Sequence, residues 1–238
     1  MPMRNARNAL VVVSVILAVL WIVQIVNYFD SYRLSYDYSI QPRVAVDLPH
    51  ILSAPFLHWS WSHLEGNSLP LVVLGFVAGY RDMRAFVWVT LAVVLTSGLL
   101  TWSIAAGGSE SAGASGVIFG WFGYVIVRGF FNHNKADVIV GLVVMLYYLP
   151  IFTLLLPAPH LGYQDHIGGL IGGLGCGWAF RSRTGADAAE RGSDIMKGQA
   201  AVPGTGRPPV PKVEQELAEL KMQVFGRGND RGRRSGST

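Results

Sequence analysis

Apolar side chains run along this chain in long blocks, interrupted at short intervals by small polar clusters. Leu10–Val26 is apolar apart from Ser14 and Gln24, and further apolar stretches follow at His63–Tyr80, Ala85–Ala106, Ala112–Phe131, Val138–Leu156 and His166–Phe180. Each is close to the length a helix needs to cross a hydrocarbon layer. The breaks between them are turn-like: Arg81-Asp82-Met83-Arg84, Gly107-Gly108-Ser109-Glu110, Asn132-His133-Asn134-Lys135 and Pro157-Ala158-Pro159. The pattern predicts an all-α fold, a polytopic membrane bundle of six transmembrane helices. Asn27, Tyr28 and Phe29 after the first block offer no small-residue cleavage site, so that block is read as a retained helix rather than a signal peptide.

Composition sharpens the picture. Only 14% of the 238 residues are charged, against about 25% in soluble chains, which excludes a disordered protein and counts against an ordinary soluble domain. The charges also crowd to one end: residues 182–238 hold 10 of the 19 Lys and Arg and 7 of the 15 Asp and Glu. The expected organisation is therefore a membrane domain over residues 1–182 and a cytoplasmic linker and tail over 183–238. Within that tail, Val213, Leu217, Leu220 and Val224 are spaced for a short amphipathic helix at 213–225, and the rest is expected to be mostly disordered. Arg4, Arg7, Arg81, Arg84, Arg128, Lys135, Arg181 and Arg183 fall by parity on one side of the bundle, with only Arg33 and Arg43 opposite. The positive-inside rule then puts both termini in the cytoplasm of a multi-pass cell-membrane protein. The long connection from Asp30 to Ser62 lies outside, and its Ile51–Trp61 stretch is amphipathic, with Trp59 and Trp61 suited to the lipid boundary. The net charge of +4 is used by topology and indicates no nucleic-acid partner, while a lone Cys176 excludes a disulfide framework and thiolate metal clusters.

Polar groups inside spans are costly and point to function. Span two opens His63-Leu64-Glu65-Gly66-Asn67, which sets His63 and Asn67 at i and i+4 on one helix face. Span four opens Gly113-Ala114-Ser115-Gly116, and span six opens Gln164-Asp165-His166. The starts of the even-numbered spans lie on the same side, so Ser115, His166 and the His63/Asn67 pair share one depth. Gly169 and Gly173 run beneath His166, and Gly116 and Gly120 run along span four. Such small-residue faces let membrane helices meet backbone to backbone, which predicts direct contact between spans four and six. The chemistry this permits is acyl transfer, with Ser115 as nucleophile and His166 as general base, and a hydrogen bond of about 2.6–3.2 Å between them. His63, Asn67 and the Ser115 backbone N–H are the candidate oxyanion donors. Asp165, one residue from His166, points about 100° away on a helix and is not read as a triad member. Hydrolysis also calls for a hydrated cavity open above Ser115.

With these residues assembled, the chain resembles the rhomboid family of intramembrane serine proteases. Gly113-Ala114-Ser115-Gly116 is similar to the family's GxSG motif, His63 to Asn67 to its HxxxN motif, and His166 with Gly169 and Gly173 to the pattern of its sixth helix. The likeness covers roughly residues 10–182 and extends to the long first loop, at Ile40-Gln41-Pro42-Arg43 and Ala54-Pro55-Phe56-Leu57-His58. It implies a Ser115–His166 dyad without a carboxylate, an oxyanion site of His63, Asn67 and the Ser115 N–H, and a structural role for His58. The family often has Tyr four residues after the serine, where this chain has Phe119, a ring that can stack on the histidine without a hydroxyl. The implied function is a serine endopeptidase that cleaves transmembrane proteins near the external face of the bilayer, with no cofactor. The alternative is a non-catalytic rhomboid-like protein that binds or escorts transmembrane clients. A zinc site fails on spacing, because Leu64 and Asn67 break the HExxH pattern, and a transporter would need intramembrane charges that the spans lack. Substrate identity and oligomeric state are left open.

Overall fold

The computed structural model describes residues 2–131, 135–148, 153–156 and 162–180. The proposed linker, tail and helix at 213–225 lie outside the described residues. Seven α-helices occur among them: α1 (Pro2–Phe29), α2 (Arg33–Tyr38), α3 (Trp61–Gly79), α4 (Met83–Ile104), α5 (Ser115–Phe131), α6 (Lys135–Tyr147) and α7 (Tyr163–Phe180). No β-strand is present among the described residues, only an isolated antiparallel bridge between Ile40 and Ser111. By length and composition, Met3–Phe29 and Met83–Ile104 are long and apolar enough to cross a membrane, and Ser115–Phe131 and Val138–Tyr147 are shorter apolar helices.

α5 is the hub. It packs against α3, α4, α6 and α7, while α1 lies against α3 and α4 against α7. Phe119, Trp121, Phe122 and Val125 are all buried on it, as expected for a helix that is apolar on every side. Leu64, Leu71, Leu74 and Ala78 of α3 and Val13 and Leu20 of α1 complete the same core.

Local chemistry fixes where the helices begin. Ser60 caps α3 by accepting the His63 N–H on its hydroxyl at 3.1 Å, and Asp82 caps α4 by accepting from Arg84 N (2.8 Å) and Ala85 N (3.1 Å). These are ordinary N-caps, and the first of them fixes the phase of His63 and Asn67. At the other end of α3 stands Arg128, one of the residues that parity places on the basic side. It sits in the last turn of α5, buried, and its guanidinium donates to the carbonyls of Ala78 (3.0 Å) and Val77 (2.7 Å) between the rings of Tyr80 and Tyr124. A cation there satisfies carbonyls that the end of α3 leaves without helical partners.

The connection from α1 to α3 is folded against the bundle. Asn27 donates to the Ser35 hydroxyl (2.8 Å) and to the His58 carbonyl (3.1 Å), Arg43 donates to the carbonyl of Ala105 (2.8 Å), and Trp102 Nε1 donates to the carbonyl of Val44 (3.0 Å). The amphipathic 51–61 stretch forms no α-helix before Trp61. Pro49 and Pro55 restrict it to short 3₁₀ segments, Ala45–Ile51 and Ala54–Phe56, because a proline has no N–H to give to a longer helix. Trp61 instead opens α3 and packs on Trp21 and Tyr28.

The predicted contact between the fourth and sixth spans is present as α5 against α7. A Cβ on Gly169 would strike the carbonyl oxygen of Gly116, and one on Gly173 would strike that of Gly120. One turn further on, a Cβ on Gly177 would meet Val127 and the Tyr124 carbonyl. Each collision is with backbone or with a branched Cβ, which cannot swing away. By contrast, a Cβ on Gly175 of the same helix would meet nothing within 4 Å. Gly169→Ala and Gly173→Ala are therefore expected to cost at least about 1–3 kcal/mol each, and Gly175→Ala to stay within about 0.5 kcal/mol. Thermal unfolding of the three variants in one detergent checks this, and equal melting temperatures would contradict the close packing.

Candidate active site

The residues singled out in the sequence converge on the head of α5. Gly113 enters the helix with φ of +148°, a backbone conformation that favours glycine. A side chain there would also meet Cε1 and Nε2 of the His63 ring at 2.9 and 3.0 Å, and the Ser115 hydroxyl at 3.6 Å. His63 of α3 is thus packed directly on the turn that delivers Ser115. The Gly113 N–H donates to the Ala54 carbonyl at 3.0 Å, which ties the turn to the α1–α3 connection.

Asn67 joins through His58. The Asn67 side-chain nitrogen lies 3.1 Å from His58 Nε2, and the Ala114 backbone N–H donates to the same nitrogen at 3.4 Å. A backbone N–H can only donate, so His58 Nε2 is an acceptor, its proton sits on Nδ1, and Asn67 is the donor in their bond. Among the described residues the second N–H of the Asn67 amide has no partner. His58 is wholly buried, and that burial, reinforced by the neighbouring His63, lowers its pKa from 6.5 to about 3. The ring is therefore neutral at physiological pH and acts as a fixed strut between α3 and the Ser115 turn.

His166 is buried in the first turn of α7. Its ring stacks on Phe119 with centroids 4.5 Å apart and planes 19° from parallel. Phe119 lies one turn below Ser115 on α5, at i+4, so the imidazole rests against the face of α5 that also carries the serine. Nδ1 donates to the Leu154 carbonyl at 2.8 Å. In a neutral imidazole this places the proton on Nδ1 and leaves the lone pair on Nε2.

The Ser115 hydroxyl departs from the sequence expectation. Among the described residues no hydrogen bond joins it to His166. It donates instead to Asp165 Oδ2 over a long 3.4 Å, and the same oxygen accepts the Gly116 N–H at 3.0 Å. Asp165 Oδ1 accepts from the Ser97 hydroxyl of α4, which also reaches the Asp165 carbonyl at 3.0 Å. The helical offset thus sends the carboxyl away from His166, as expected, and onto α5 and α4, which the sequence did not reveal. The lack of a Cβ on Gly116 makes this possible, since one there would collide with Ser97 Oγ and both Asp165 oxygens. The Ser115 N–H donates to none of the described groups. A cavity lined by Ile51, Ala54, Ser97, Gly113, Val117 and Asp165, among others, lies beside this turn, and neither Ser115 nor His166 lines it.

These features define a class: a helical bundle with a serine at the head of its central helix, an oriented imidazole alongside and unsatisfied donors nearby. The rhomboid-domain family model matches residues 47–183. Uncharacterized proteins of Mycobacterium tuberculosis and Mycobacterium bovis are each 35% identical to the chain over 168 residues, which is 66% of this chain and 69% of theirs. One of Mycobacterium leprae is 31% identical over 172 residues, 69% of this chain and 68% of its own. The chain belongs to the rhomboid family, and it is accordingly an integral membrane protein.

A histidine held neutral in the fold but free to protonate when unfolded stabilises the fold fully above its unfolded pKa, and that contribution is lost as pH falls from about 6.5 toward about 3. The melting temperature in detergent is thus expected to fall between about pH 7 and about pH 5. His58→Gln is expected to melt lower at neutral pH but with a shallower acid dependence. An unchanged slope in His58→Gln would remove His58 from the acid response.

Proposed function

We propose that this chain is an intramembrane serine endopeptidase in which Ser115 is the nucleophile and His166 the general base. The observation that carries the reading is the orientation of His166: Nδ1–H spent on the Leu154 carbonyl and the ring stacked on Phe119, one turn from Ser115. A base oriented by a third group is the working arrangement of nucleophilic catalysis, and here a backbone carbonyl takes the place that a carboxylate fills in a triad.

The steps follow from that geometry. The Ser115 hydroxyl turns from Asp165 to His166, Oγ attacks the peptide carbonyl carbon, and its proton passes to Nε2. Negative charge collects on the former carbonyl oxygen, for which the Ser115 N–H, the spare Asn67 N–H and His63 are the available donors. Collapse of the tetrahedral species expels the amine, which takes the proton from His166, and leaves an ester on Ser115. Water then attacks the ester with His166 again accepting the proton, and the carboxylic acid product departs as Oγ is reprotonated. No metal or nucleotide enters the scheme.

The substrates are transmembrane proteins whose helix unwinds near its external end, because a carbonyl held in a helix is hydrogen-bonded and shielded from attack. Six of the helices, α1, α3, α4, α5, α6 and α7, serve as the spans, with both termini cytoplasmic and the head of α5 toward the outside. Water reaches Ser115 from that side. Residues 1–182 form this catalytic domain and 183–238 a linker and tail.

A fluorophosphonate probe tests the dyad on detergent-purified protein. Wild type is expected to be labelled, and Ser115→Ala not at all. His166→Ala is expected to label at least about a hundredfold more slowly. Equal labelling of wild type and Ser115→Ala would reject the assignment. A wild-type protein that resists labelling but still captures transmembrane clients would favour the escort alternative.

A further inference from the structure

Three helices meet at one carboxyl that the reaction above does not use. Asp165 is partly buried at the start of α7, accepts the Gly116 N–H and the Ser115 hydroxyl of α5 on Oδ2, and accepts the Ser97 hydroxyl of α4 on Oδ1. α5 begins at Ser115 with no serine, threonine or aspartate of its own before it to serve as a cap, since Gly113 and Ala114 precede it. The carboxyl of Asp165 therefore does for α5, from another helix, what an N-cap side chain does from the same one. Because Asp165 and His166 are consecutive on α7, one short segment of backbone positions both the general base and the acceptor that holds the serine's turn.

We propose that Asp165 is a positioning residue for the nucleophile: it fixes the first turn of α5, and with it Ser115 Oγ, relative to the His166 imidazole. The two distances divide the work. The 3.0 Å bond from Gly116 N anchors the backbone, whereas the 3.4 Å bond from the Ser115 hydroxyl is long for an O–H donor and is readily given up for Nε2. The carboxyl thus holds the turn without trapping the hydroxyl. The role is one of hydrogen-bond acceptance, which a neutral amide oxygen reproduces. Ser97 braces the far oxygen, so its removal weakens the same arrangement.

This inference rests on the proteolytic reading, and the test separates the two. The full chain in detergent is treated with a fluorophosphonate, and the maximal labelling rate and half-saturating probe concentration are measured for each folded variant. Asp165→Ala is expected to lower the maximal rate about 30- to 100-fold, the effect of misplacing a reacting atom by a fraction of an ångström to one ångström, with half-saturation changed less than about threefold. Asp165→Asn, whose amide oxygen still accepts the Gly116 N–H, is expected to stay within about fivefold of wild type, and Ser97→Ala to fall between the two. A maximal rate in Asp165→Ala equal to wild type would overturn the inference and leave the dyad standing. Asp165→Asn as slow as Asp165→Ala would overturn it too, because charge rather than acceptance would then be at work. Should Asp165→Ala fail to fold, Asp165→Asn and Ser97→Ala decide by the same two criteria. Absence of labelling in wild type would overturn both readings together.

Discussion

Two helices that meet without side chains between them set the geometry of everything near Ser115. The carbonyls of Gly116 and Gly120 on α5 occupy the space that side chains at Gly169 and Gly173 on α7 would need. Within lipid there is little hydrophobic gain from bringing apolar helices together, so close van der Waals contact over a smooth surface is what holds them. That closeness has a chemical consequence. A serine has a short side chain, and it can reach a group on a neighbouring helix only if the backbones nearly touch. The glycines that pack the helices are, for that reason, also the residues that make a serine–histidine reaction centre possible.

The polar groups around this contact are arranged so that few are wasted. His58 bridges Asn67 and the Ala114 N–H, Asp165 takes the Gly116 N–H and two hydroxyls, and Leu154 takes the His166 Nδ1 proton. Each is a case of a group taken out of water and given a partner, the condition under which such groups are tolerable in an apolar setting. Among the described residues the Ser115 N–H, one Asn67 N–H, the His166 Nε2 lone pair and the buried His58 Nδ1–H stay uncommitted. The first three are the donors and the acceptor that the proposed acyl transfer would use. His58, by remaining neutral, supplies a rigid link without adding a charge beside the site.

Much of this was legible in the order of residues. The apolar blocks marked the long helices, the glycine spacing marked the α5–α7 contact, and parity brought His63, Asn67, Ser115 and His166 to one end. The stacking of Phe119 on His166 also followed from its position four residues after the serine. The partners that sequence hid are of two kinds. Backbone acceptors such as the Leu154 carbonyl have no residue-type signature, because every residue carries one. Cross-helix contacts such as Asp165 with Ser97 and Gly116 depend on helix rotation, and a helical-wheel offset states where a carboxyl does not point but not what waits on the other side. Gly116 held a clue, since a missing Cβ next to a serine leaves room for a neighbour's oxygen. The burial of Arg128 against the end of α3 was likewise invisible to a rule that counts charges by side.

The most direct measurement is an experimental structure of the chain in lipid with a phosphonyl group bound to Ser115. The expected result shows Nε2 of His166 within about 3.2 Å of Ser115 Oγ or a phosphonyl oxygen, with the ring still on Phe119 and the backbones of α5 and α7 in contact at Gly116 and Gly120. A structure with α5 and α7 held apart by intervening side chains, and the His166 imidazole out of reach of Ser115, would contradict it.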